Sequence, residues 1–165
     1  MEPQDMMNSV TYIQLLKQSL RKKLEVLNLL LQLTEAQDEL FDSSEIDVKK
    51  FDELIASKNE QIKQLSMLDN GFEQIYSHVK EELNINKLKY KEEIEELQSL
   101  VTDITDSTIK LEVMEKRNSE KLKIVFSKKR NEIKSGRKNN QMVTNYYKNM
   151  SGNQDVQSFF YDKKN

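Results

Sequence analysis

A single proline, Pro3, and three glycines, Gly71, Gly136 and Gly152, are the only backbone-breaking residues among 165 positions. Sheet folds need a turn every few residues, so such scarce turn chemistry confines the chain to a small number of long helices. Charged residues make up 33% of the chain and apolar ones 36%, a balance suited to helices that bury one stripe and solvate the rest. The length fits one domain.

Apolar residues at steps of three and four share one helical face. The first such series runs through Ile13, Leu16, Leu20, Leu24, Leu27 and Leu31, is widened by Leu30 and Leu33, and reaches Phe41. Asp42-Ser43-Ser44-Glu45 interrupts it with turn-forming residues, and Asp47 is placed to cap a new helix. The second series is Phe51, Leu54, Ile55, Ile62, Leu65, Leu68, Phe72, Ile75, Val79 and Leu83. Within it, Asp69-Asn70-Gly71 is a candidate bend, costing about 1 kcal/mol at the glycine. The third starts near Leu88 and continues through Ile94, Leu97, Val101, Ile104, Leu111, Met114, Leu122, Val125, Phe126 and Ile133, with Glu115 and Asn118 falling where apolar residues are expected. The spacing predicts helices at about 8–41, 48–83 and 87–149. The expected fold is all-α: an antiparallel helical hairpin plus a long third helix in a coiled-coil-like three-helix bundle. One elongated domain is expected over 1–150, followed by a short C-terminal tail at 151–165.

The third helix would be roughly 90 Å long against roughly 50 Å for each of the others, at 1.5 Å per residue. The first two helices would then cover only about half of it. The uncovered half is basic: Lys116 to Lys148 holds eleven Lys or Arg against two Glu, which suits an anionic partner. It ends in a compact apolar face of Met142, Val143, Tyr146, Tyr147 and Met150. A lone helix of this kind is marginal in water, so binding or self-association is expected to stabilise it. Of the methionines, Met67 and Met114 read as core filling and Met142 and Met150 as contact residues. The tail aromatics Phe159, Phe160 and Tyr161 are read as local packing ahead of a docking motif.

Catalytic chemistry has little to work with. The absence of cysteine removes disulfides, thiolate metal sites and thiol nucleophiles. His78 is the sole imidazole, and beside Ser77 it reads as an ordinary helical histidine. No Gly-rich phosphate loop is present, and Glu92, Glu93, Glu95 and Glu96 read as a solvated face paired with Lys89 and Lys91. The expectation is a non-enzymatic chain with no cofactor, no metal and no small-molecule substrate. No run approaches the roughly 18 apolar residues of a membrane span, and the N-terminus lacks signal-peptide order, so a cytoplasmic location is expected without membrane insertion. The basic segment raises nucleic-acid binding, but its cations are interleaved with Asn and Gln rather than stacking aromatics. An acidic protein surface is the preferred partner.

The stretch from Asp47 to Ile62, with Phe51 and Leu54, then Lys58, then the Ile62 to Leu65 step and Leu68-Asp69, resembles the second helix of the FlgN-type flagellar export chaperones. The end of the chain, Phe126-Ser127-Lys128-Lys129-Arg130-Asn131-Glu132-Ile133 to Tyr146-Tyr147-Lys148-Asn149-Met150, is similar to that family's C-terminal section. The resemblance implies a helical chaperone that keeps hook-filament junction (hook-associated) proteins unassembled and delivers them to the flagellar export apparatus of type III secretion. It also implies that the client docks on the C-terminal helical region. Leu122, Val125, Phe126, Ile133, Met142, Val143, Tyr146, Tyr147 and Met150 are then the expected apolar contacts, and Lys128, Lys129, Arg130 and Lys138 the cations that steer encounter. The competing expectation from the residues alone is a coiled-coil scaffold that forms a homodimer through the third helix.

Overall fold

The structure, a computed structural model that describes the backbone of residues 3–132 and the side chains of residues 8–131, consists of α1 Pro3–Phe41, α2 Val48–Ile85 and α3 Lys91–Glu132. No strand occurs among the described residues. The all-α expectation holds, and the helix ends follow local chemistry. Pro3 opens α1 ahead of the expected start near residue 8, because proline in the first turn loses no backbone hydrogen bond. At the other end of α1 the Asp42 N–H donates to the Glu39 carbonyl at 3.2 Å and the Ser43 N–H to the Leu40 carbonyl at 3.4 Å, tightening the last turn before the break. Asp47 caps α2 as its position predicts, its Oδ1 accepting the Lys50 N–H at 3.1 Å. α3 starts at Lys91 rather than near 87, because residues 86–90 form a turn. Buried Tyr90 anchors that turn to α2 by donating its hydroxyl to Glu82 Oε1 at 3.2 Å.

α2 runs unbroken through Gly71, where no positive φ is found. The candidate bend site does not interrupt the helix. Asp69 accepts the Lys23 ammonium at 2.8 Å, with both side chains largely buried, so this segment is tied to α1 while staying helical.

Each helix contributes to two packing units: unit 1 is Met1–Leu29 with Gln64–Lys110, and unit 2 is Leu30–Lys63 with α3 from Leu111 onward. In unit 1, Ile13 and Leu16 of α1 meet Val79 and Leu83 of α2 and Tyr90, with Tyr12, Phe72, Ile75, Ile94 and Leu97 packed around them. Ring stacking of Tyr12 on His78, with centroids 5.0 Å apart, places the one histidine on an exposed helical surface. Glu96 receives Lys17 at 2.9 Å and also Arg21. The Lys17 hydrogen bond, reinforced by both positive charges, holds the Glu96 carboxyl below the ordinary carboxylate range. Glu96 therefore pairs with α1 and not with the expected Lys89 and Lys91. Lys89 instead lies 5.4 Å from the Tyr90 ring centroid.

Unit 2 packs Leu40, Phe51, Ile55 and Leu122 together, with Phe41, Ile46 and Leu54 against them. Phe41 and Phe51 meet edge to face at 6.0 Å. This core also contains a layer of polar groups. Lys58, 3% exposed, donates to Gln37 Oε1 at 2.8 Å and pairs with Glu115. The Thr34 hydroxyl reaches Glu115 Oε1 at 3.1 Å, and the Asn118 side-chain amide donates to the Thr34 carbonyl at 2.9 Å. Glu115 and Asn118, which interrupt the apolar series in sequence, are thus satisfied inside the bundle, and α3 continues past them. No buried side-chain polar atom among the described residues lacks a partner.

Two stability measurements follow. Lys58→Met leaves the Glu115 carboxylate enclosed without its cation and is expected to cost about 3 kcal/mol in urea unfolding, whereas Lys58→Met with Glu115→Leu recovers most of that loss. Equal losses in the two variants would contradict a coupled ion pair. At Gly71 an added Cβ meets no atom within 4 Å, so Gly71→Ala is expected to stabilise by about 0.5–1 kcal/mol, read as a higher urea midpoint at unchanged slope.

Candidate protein-binding surface

On α3, Leu122 faces inward at 5% exposure, which fixes the direction of the following side chains at 100° per residue. Ile124 is turned outward at 58% exposure. Val125 and Phe126 are half-buried, Lys128 and Arg130 are exposed, and Lys129 is half-buried. Arg130 lies 4.9 Å from the Phe126 ring centroid, a cation–π contact that holds the guanidinium over an apolar platform.

The charges here are unevenly satisfied. Lys121 bonds to Asp38 and lies 3.4 Å from Asp42, and the hydrogen bond to Asp38, with the charge of both carboxylates behind it, raises its ammonium above the ordinary lysine value. Those two carboxylates are engaged by Lys121. Lys123, Lys128, Lys129 and Arg130 have no ion pair among the described residues. The last described turns of α3 therefore present a run of cations beside Ile124, Val125 and Phe126, an arrangement that attracts an acidic surface and offers it apolar contact.

Five of the contact residues expected from sequence thus share one segment: Val125, Phe126, Lys128, Lys129 and Arg130. Leu122 does not join them. It is a core residue packed with Leu40, Phe51 and Ile55, because in unit 2 the end of α1 and the start of α2 cover α3 this far along. Ile133, Lys138, Met142, Val143, Tyr146, Tyr147 and Met150 lie outside the described residues, as do the tail aromatics. Met67, expected in the core, is 66% exposed, since two residues past buried Leu65 is the far side of a helix. Ile124 stands off the apolar stripe, so periodicity does not mark it as a contact residue.

Among the described residues no group of His, Cys, Asp or Glu is placed to hold a metal ion, and no helix is long and apolar enough to cross a membrane. A family model described as FlgN protein matches residues 6–152, a span that takes in all three helices except the first residues of α1. No curated protein and no solved structure matches the chain. With nearly its whole length matched, the chain belongs to the FlgN family of flagellar export chaperones, a non-enzymatic family.

Proposed function

We propose that this chain is a cytoplasmic chaperone for hook-filament junction proteins, holding them unassembled and handing them to the flagellar type III export apparatus. The observation that carries the reading is the basic end of α3, where cations with no ion pair among the described residues flank outward-facing Ile124 and half-buried Val125 and Phe126. Junction proteins carry segments that form helical contacts only in the finished assembly. An amphipathic helix laid along such a segment covers its apolar stripe without unfolding the chaperone, and electrostatic attraction raises the encounter rate while leaving release possible.

In this reading Val125 and Phe126 begin the apolar contact, and Ile133, Met142, Val143, Tyr146, Tyr147 and Met150 extend it. Lys128, Lys129, Arg130 and Lys138 steer the client. Nothing in the role requires a cofactor or a small-molecule substrate.

Charge reversal tests the assignment. Lys128→Glu with Lys129→Glu is expected to slow association with a purified junction protein by about tenfold at low salt and to flatten its salt dependence, with thermal unfolding unchanged because neither ammonium holds an ion pair among the described residues. Stopped-flow association rates across a salt series measure this. An unchanged rate and slope would move the docking site away from this segment.

A further inference from the structure

Unit 1 contains a surface that the client-binding reading does not use. An open groove of about 960 Å³ lies between α2 and α3, floored by Leu16 and Leu20 of α1. Phe72 and Tyr76 form one wall, stacked with centroids 6.0 Å apart, and Ile94, Leu97 and Val101 form the other. Along α3 the lining extends from Lys91 to Thr102, roughly 16 Å at 1.5 Å per residue, the length of about three helical turns.

Two features point to an occupant. Tyr76 is 38% exposed, and no hydrogen bond to its hydroxyl is found among the described residues; a ring with one apolar face and a free polar tip is what protein interfaces favour. Lys87 and Lys91 stand together at one end of the groove, both exposed and neither in an ion pair among the described residues. An apolar trough that ends in two ammonium groups with no ion pair among the described residues fits an amphipathic helix with carboxylates at one end.

A lipid headgroup layer fits less well. Anionic membranes are held by clusters of about four to eight basic residues, whereas Glu81, Glu92 and Glu95 lie among the lysines here.

We propose that the α2–α3 groove of unit 1 is a docking site for an acidic amphipathic helix of a partner protein, separate from the basic end of α3. Leucine-type side chains of the incoming helix would sit between the Phe72–Tyr76 wall and the Ile94–Val101 wall, and its terminal carboxylates would meet Lys87 and Lys91.

The probe is a pair of synthetic amphipathic peptides of about four turns, identical in their leucine stripe, one with glutamates on the polar face near one end and the other with lysines there. Each is titrated into the isotope-labelled full chain. The glutamate peptide is expected to shift the amides of Tyr76, Asn84, Lys91 and Gln98. Its affinity should fall about tenfold in Lys87→Glu/Lys91→Glu, which unfolds at the same temperature as the parent chain, and the lysine peptide should regain that affinity on the reversed variant. Shifts confined to Lys123–Arg130 would overturn the groove while leaving the client reading intact. So would equal affinity for the two peptides, or a rise in mass with chain concentration that shields the same amides and so makes a second copy the occupant.

Discussion

Lys58 cannot keep an ammonium at 3% exposure without Glu115, and meeting that need decides how three helix segments come together in unit 2. Burial drives the lysine pKa down, while the charge and hydrogen bond of Glu115 push it back up. A lysine so placed on α2 must find a carboxylate on α3, and Gln37 and Thr34 of α1 complete the shell around the pair. Sliding α3 by one residue would turn Glu115 out of the layer and leave charge in the core. Apolar side chains tolerate neighbouring registers far better than this. We take the layer to be a register device, the role for which buried polar groups in helical bundles are best attested.

The same register determines what α3 displays beyond it. With Glu115 and Asn118 directed inward, Leu122 follows one turn later into the hydrophobic cluster of Leu40, Phe51 and Ile55. The next residues then emerge at the surface in fixed order, with Ile124 outward, Phe126 beneath Arg130, and Lys128 to solvent. Asp38 and Asp42 engage Lys121, and the cations after it hold no ion pair among the described residues. Unit 1 joins an apolar cluster to ion pairs whose lysines, Lys17 paired with Glu96 and Lys23 with Asp69, are themselves buried.

Much of this was legible in the residues. Periodicity located all three helices, Asp47 marked a cap that forms, and the resemblance carried by the Phe51 to Leu68 stretch pointed to the family that the chain belongs to. Where reading failed, a tertiary partner had reversed a local expectation. Glu115 and Asn118 look like breaks in a stripe because their partners, Lys58 and Thr34, stand far away in sequence. Gly71 looks like a break, but the helix runs through it unbroken, with the Lys23–Asp69 pair beside it. Leu122 looks like a free contact because the residues that cover it, Leu40, Phe51 and Ile55, stand far away in sequence. Periodicity says which side chains share a face, but not what covers that face; hence Ile124 and the unit 1 groove, which depend on how helices pack, went unseen.

The central claim is that this helical chain acts by masking the assembly surface of a junction protein. Light scattering and calorimetry on the full-length chain mixed with a purified junction protein test it most directly. The expected result is a reversible complex of defined stoichiometry with a negative heat-capacity change, the mark of buried apolar surface, and a client that no longer polymerises while bound. A stable homodimer that releases no heat with the client and leaves its polymerisation unaltered would contradict it.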